Sequence, residues 1–147
     1  MKKMRALVNF ARVKFLAVSE NESFARIFTA GFVMHLGVTP SQLADIKTVV
    51  SEAVTNSIVH GYRNSEKKED YICMELRFYT DKTLVITVQD KGQGIEDIEK
   101  AMEPFFTTDK ENERSGMGFP IMDAFSDSMR VASSPSGTRV TMHKRLK

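Results

Sequence analysis

Apolar residues along this chain follow two different periods, and the switches between them mark out its elements. A short apolar run, VKFLAV at 13–18, reads as a first strand, with residues 1–12 ahead of it as an N-terminal extension. The spacing then lengthens to that of a helix: Phe24, Ile27, Phe28 and Val33 form a stripe between a Ser19–Glu22 capping box and a stop at Gly37. Thr39, Pro40 and Gln42 repeat the start signal, with an N-cap, a proline at the first helical position and a glutamine to complete a second box. The helix they open carries Leu43, Ile46, Val50, Ala53 and Val54 on one side and is expected to run to Gly61.

Charged residues at 63–70 interrupt the pattern, and YICMELRFY after them alternates with Ile72, Met74, Leu76 and Phe78 on one side of a strand. Thr80, Asp81 and Lys82 turn the chain back into TLVITVQD, which alternates Leu84, Ile86 and Val88 and ends at Asp90. A short helix is expected at 95–102, ended by Pro104. No period fits 104–116, where two threonines and five charges stand without an aliphatic side chain; a structureless loop of that length in a compact domain usually has a function. Gly118 and Pro120 open a short helix with Ile121, Met122 and Phe125, and the strands MRVASS and TRVTMHKRL meet at a turn of Pro135, Ser136 and Gly137. Strand, two helices, two strands, a loop with short helices, and two strands make an α+β order, with helices on one face of a mixed, largely antiparallel sheet.

Composition narrows the function classes. A chain of 147 residues supports one domain with a full core, and 1–147 reads as a single one. Lys and Arg number 21 against 19 Asp and Glu, so a net charge of +2 gives no electrostatic footprint for nucleic acid. Cys73, the one cysteine, excludes an internal disulfide and has no companions for a zinc site; it is expected on a sheet surface. No run of 18 apolar residues occurs, and Arg12 and Lys14 break the basic-then-apolar start that a signal peptide would need, so a cytoplasmic protein is expected.

The chemistry begins at Glu52 and Asn56, four residues apart on the second helix and therefore on one face, roughly 6 Å apart along its axis. A carboxylate and an amide at the margin of an apolar stripe must be paired, solvated or functional. Further on come Asp90-x-Gly92-x-Gly94 leaving a strand, Gly116-Met117-Gly118 entering a helix, and Gly137-Thr138 entering a strand. There is no GxxxxGK[ST], no third glycine for GxGxxG and no protein-kinase catalytic loop. In that order the set resembles the ATPase superfamily of gyrase, heat-shock chaperones, histidine kinases and mismatch-repair proteins, the Bergerat (GHKL) fold. Glu52 and Asn56 match its N-box, Asp90 to Gly94 its first glycine box and Gly116 to Gly118 its second. Within the superfamily, SENESFAR at 19–26, VSEAVTNSIVHGY at 50–62 and PFFTTDKENERSGMGF at 104–119 resemble the anti-sigma F factors of sporulating bacteria. Those are small serine kinases that hold a sporulation sigma factor and phosphorylate a serine of its antagonist, the anti-anti-sigma factor.

The resemblance implies a two-layer α/β sandwich, ATP or ADP with Mg²⁺ as ligands, a sigma factor and an anti-anti-sigma factor as partners, and a homodimer. The residues supply a chemical rationale. Ionised Asp90 is acceptor-only, so it can take a hydrogen bond from the adenine amine but cannot pair with the oxo group of guanine. Asn56 offers a neutral oxygen to Mg²⁺, which takes its other ligands from phosphates and water. Glu52 is then left to accept the proton of an incoming serine hydroxyl. Gly116 and Gly118 let the backbone approach a triphosphate, and with Ser115 and Met117 they lead into a helix start whose N–H groups face it. By resemblance the loop at 105–115 is the ATP lid, with Thr107, Thr108 and Arg114 meeting the γ-phosphate, where an arginine stabilises spreading charge. Thr138 resembles a threonine that buttresses the adenine-binding aspartate, and Glu22 and Arg26 match a surface that contacts the protein partners. Open beside this stand a sibling anti-sigma kinase for a stress or other sigma factor and a nucleotide-gated binding module without kinase activity. A histidine-kinase catalytic domain ranks last, because the chain has no room for a phosphoacceptor helix hairpin.

Overall fold

The computed structural model describes residues 4–65, 67–103 and 118–146. Its elements are β1 (Leu7–Leu16), α1 (Glu20–Val33), α2 (Pro40–Asn56), a π-helical turn (Ser57–Gly61), β2 (Tyr71–Tyr79), β3 (Thr83–Asp90), α3 (Ile98–Ala101), α4 (Gly118–Ala124), β4 (Ser128–Ser134) and β5 (Gly137–Arg145). The five strands form one sheet in the order β1-β2-β3-β5-β4. Among the described residues every pairing is antiparallel, with no parallel pair of the kind a mixed sheet would contain. The reason lies in the connections. Two helices between β1 and β2 reverse the chain once more than a single crossover helix would, β2–β3 and β4–β5 are joined by tight hairpins, and α3, α4 and β4 lie between β3 and β5 in the chain.

Helices α1 and α2 cover one face of the sheet. Ile46, Val49, Val50, Ala53 and Val54 of α2 are buried against Ile72, Met74 and Leu76 of β2 and Leu84, Ile86 and Val88 of β3, as the two sequence periods require. Each fully buried side chain of this size contributes about 1.5–3 kcal/mol. The α2 start is the capping box expected: Thr39 Oγ1 accepts from Gln42 N, and Gln42 Oε1 accepts from Thr39 N. The opposite sheet face carries Arg12, Lys14, Cys73, Glu75 and Arg77, with Arg12 and Arg77 both bonded to Glu75.

Four expectations need correction. The first strand begins at Leu7 rather than Val13, so residues 7–12 of the expected extension belong to the sheet: nine-residue β2 sets the partner length, and Leu7 pairs with Tyr79 across a bulge. On this open edge Leu7, Val8 and Phe10 stay exposed, so no apolar alternation announces the strand. Ser19 makes no capping hydrogen bond, because it already has helical dihedrals and Glu22 turns to Ser51 of α2 instead. The buried residues of α1 are Ala25, Thr29 and Val33, while Phe24 and Ile27 stay exposed; the helix packs by small residues that let it approach α2 closely. The segment expected as a helix at 95–102 shortens to Ile98–Ala101, capped by Asp97 Oδ1 accepting from Lys100 N.

Candidate nucleotide site

The site is assembled where the end of α2 meets the end of β3. After Asn56 the helix continues to Gly61 as expected, but its last turn is widened: Ser57 O accepts from Tyr62 N, five residues on, at 2.9 Å. Such single π-turns are rare in helices and concentrate at functional positions. Left-handed backbone at Arg63 and Asn64 then ends the helix. The wide turn presents the carbonyls of His60 and Gly61 sideways, where Gln93 takes both: its side-chain amide donates to His60 O at 2.8 Å and its backbone N–H to Gly61 O at 3.0 Å. Arg63 Nε donates to the other end of the same side chain, Gln93 Oε1, at 2.8 Å. Thus the loop after β3 is clipped onto the end of the helix that carries Glu52 and Asn56.

This close seat explains two of the glycines. A Cβ on Gly92 would lie 2.2 Å from Gly61 O, a backbone atom that cannot swing aside. Gly94 has φ +83°, and a Cβ there would meet Ser134 O at 1.9 Å.

Asp90, the last residue of β3, is buried beneath this seat. Its Oδ1 accepts from Gly92 N at 2.9 Å and from Thr138 N at 3.3 Å, and the Ser57 hydroxyl donates to the carboxylate as well. Burial pushes the Asp90 carboxyl above its usual value, and the hydrogen bonds from Gly92, Ser57 and Thr138 offset part of that rise. A carboxylate offers about four acceptor positions, so three donors leave capacity for one more.

Thr138 lies opposite Asp90 in the β3–β5 ladder and supports it, but through its backbone N–H. Its hydroxyl instead pairs with Ser133 Oγ at 2.8 Å, and Ser133 in turn accepts from Ile95 N at 2.6 Å, tying the glycine loop to β4. Tyr62 adds a further clip: its hydroxyl accepts from Lys91 N at 2.7 Å and donates to Tyr71 O at 2.6 Å. Partial burial holds the Tyr62 phenol above the ordinary value of 10.0, against the lowering effect of the Lys91 hydrogen bond.

Glu52 and Asn56 lie half-buried on α2, Asn56 being its last residue and the neighbour of Ser57. Gly118, at the start of α4, faces Glu52: a Cβ there would be 3.5 Å from Glu52 Oε2. Glu22 and Arg26 lie one helix away on α1, 3.6 Å apart as an ion pair. The structure therefore brings Glu52, Asn56, Asp90, Gly92, Gly94, Gly118 and Thr138 around the joined ends of α2 and β3, with Glu22 and Arg26 alongside. Thr107, Thr108, Arg114, Ser115, Gly116 and Met117 lie outside the described residues. Among the described residues no three His, Cys, Asp or Glu side chains could together hold a metal ion. Ser57, Tyr62, Gln93 and Ser133 escape the sequence reading, and Gly61 is read there only as the end of its helix. No periodicity distinguishes a π-turn from the helix before it.

Comparison with known proteins agrees with this geometry. Residues 17–144 match the family described as the histidine kinase-like ATPase domain, a nucleotide-binding domain. An anti-sigma F factor from Bacillus licheniformis is 48% identical over 139 residues, covering 94% of this chain and 93% of that protein. Its counterpart from Oceanobacillus iheyensis is 50% identical over 139 residues, with the same coverage of 94% and 93%. A crystal structure of RsbU and RsbW domains from Mycobacterium tuberculosis superposes with a TM-score of 0.68 at 20% identity, over 95% of this chain and 33% of that one, which shows a shared fold. Among the described residues no helix is long and apolar enough to cross a membrane. By the extent of these matches and the order of its boxes, the chain belongs to the anti-sigma F factor family of histidine kinase-like ATPase domains.

Proposed function

We propose that this protein is a cytoplasmic, ATP-dependent serine kinase that also holds a sporulation sigma factor of the F type and phosphorylates a serine of the anti-anti-sigma factor that opposes it. The observation that carries the reading is Asp90: a buried carboxylate fixed by three donors, with acceptor capacity for an adenine amine. An acid held in such a place against the cost of burial is characteristic of a binding site.

The chain's own groups divide the work. Asp90 fixes the adenine end, and the Gln93 and Tyr62 clips hold its loop on the helix that carries the reacting end. Asn56, next to Ser57, is the amide that would hold Mg²⁺; the absence of a three-ligand cluster among the described residues fits an ion bound mainly by phosphates and water. That ion supplies neutralisation of charge on the transferring phosphoryl group. Glu52, one turn back and facing Gly118, accepts the serine proton. The second glycine box, Gly118 with Ser115, Gly116 and Met117, faces the phosphates, as the nearness of Gly118 to Glu52 supports. Thr107, Thr108 and Arg114 complete the γ-phosphate contacts. Glu22 and Arg26 meet the protein partners, and the working form is a homodimer.

The test is transfer of labelled γ-phosphate from ATP to an anti-anti-sigma protein, with Glu52→Gln beside the wild type. Acid-stable phosphoserine that appears with the wild type and is lost in the variant is the expected result. Nucleotide binding without any transfer would leave a nucleotide-gated sigma-binding module, and near-normal transfer by Glu52→Gln would remove Glu52 as the base. A monomer mass by light scattering would remove the dimer.

A further inference from the structure

Glu22 does more than form one edge of the partner-facing surface. Its Oε1 accepts the Ser51 hydroxyl across the α1–α2 seam at 2.5 Å, a charge-assisted hydrogen bond. The same oxygen lies 3.6 Å from Arg26 Nε, which is itself buried and has no hydrogen-bond partner among the described residues, while Arg26 Nη2 donates to Ser23 Oγ at 3.1 Å. Ser51 immediately precedes Glu52 on α2. A continuous polar path therefore runs from Arg26 through Glu22 and Ser51 to the backbone that aims Glu52 at Gly118. Apolar packing alone fixes how far α1 stands from α2 but specifies rotation and sliding weakly. A directed bond on this seam sets which way the Glu52 turn faces.

We propose that Ser51 is a positioning residue for phosphoryl transfer: its hydrogen bond to Glu22 couples the partner-facing helix α1 to the aim of Glu52. A partner group that pairs with Arg26 draws it from the oxygen it shares with Ser51, so docking on α1 adjusts the catalytic helix directly. The inference rests on Glu52 being the base and on Glu22 and Arg26 meeting the partner. It assigns Ser51 a role that neither implies.

The experiment measures serine phosphate transfer from ATP to the anti-anti-sigma protein for wild type, Ser51→Ala, Ser51→Thr, Glu22→Ala and the Ser51→Ala/Glu22→Ala double variant. Partner concentration is varied to separate kcat from KM, and ADP affinity and thermal midpoint are recorded for each. Ser51→Ala is expected to lower kcat about tenfold, the scale of one lost charge-assisted bond, with KM for the partner and ADP affinity unchanged. Ser51→Thr, which keeps the hydroxyl, restores most of the rate. In the double variant kcat falls no further than in Glu22→Ala alone, because both changes break the same bond. A Ser51→Ala enzyme with wild-type kcat overturns the proposal, as does a kcat loss that Ser51→Thr fails to restore or that adds independently to Glu22→Ala. A wild type that transfers no phosphate at all sinks the kinase reading, and this proposal with it.

Discussion

Gly92→Ala probes the seat between the β3 loop and the π-turn. The added Cβ would lie 2.2 Å from Gly61 O, 2.4 Å from Gly61 C and 2.7 Å from Gly61 Cα, all backbone, whereas ordinary contact begins at 3.4 Å. The loop and the turn must therefore separate by about 1 Å, because neither side can relieve the clash by a rotamer change. That separation stretches the 3.0 Å bond from Gln93 N to Gly61 O beyond useful length and strains the 2.8 Å bond from Gln93 Nε2 to His60 O. It also disturbs the 2.9 Å bond from Gly92 N to Asp90, a donor to a buried carboxylate. A neutral bond contributes about 0.5–1.5 kcal/mol and one to a charged group about 1.5–3 kcal/mol, so the combined loss is about 2–4 kcal/mol. Because these bonds hold Asp90 and its loop, the loss falls mainly on nucleotide binding, and ADP should bind about a hundredfold more weakly. Isothermal titration with ADP reads this out. Gln93→Ala, which removes the side-chain clip without a clash, serves as the milder comparison and should weaken ADP by less. If Gly92→Ala binds ADP within threefold of the wild type, the loop does not need this seat, and the account of the glycine is wrong.

Two further changes test the supports around Asp90. Ser57→Ala removes a donor to the carboxylate and should lower stability at pH 7 by about 1–3 kcal/mol in urea denaturation. The folded-state carboxyl titrates above its usual 3.8, so protonated Asp90 favours the fold; this stability is complete below 3.8 and is lost as pH rises through the raised value. The gap between Ser57→Ala and wild type should accordingly shrink on acidification, and a gap independent of pH would show that Ser57 does not act through Asp90. Tyr62→Phe leaves Lys91 N and Tyr71 O without their shared hydroxyl and should cost about 1–2 kcal/mol. Since the phenol is held above 10.0, wild-type stability should fall as pH rises past that range, a fall that Tyr62→Phe should reduce. Equal alkaline falls in both proteins would contradict it.

Much of this site was legible because its parts obey local rules. Asp90 announced itself as an acid at a strand end followed by two spaced glycines, and Glu52 and Asn56 by polar residues at helical spacing beside an apolar stripe. The Thr39–Gln42 box was readable because both of its hydrogen bonds are local to the sequence. The Ser19–Glu22 box had the same signature, but a distant residue, Ser51, competes for the carboxylate and wins. Tertiary contact likewise hid the first half of β1, residues 7–12, whose exposed edge carries no alternation until β2 pairs with it. Ser57 and Gln93 remained invisible because their partners, Asp90 and the carbonyls of His60 and Gly61, come within reach only when a widened turn meets a loop some thirty residues away.

The most direct measurement of the central claim, that a buried aspartate selects an adenine nucleotide here, is titration of wild type and Asp90→Asn with ADP and with GDP. The wild type should prefer ADP by at least about tenfold, one hydrogen bond to a charged acceptor. Asp90→Asn, whose amide can also donate, should lose that preference and shift toward guanine while its thermal midpoint stays close to that of the wild type. A wild type that binds GDP as tightly as ADP, or an Asp90→Asn protein that keeps full selectivity for adenine, would contradict the account.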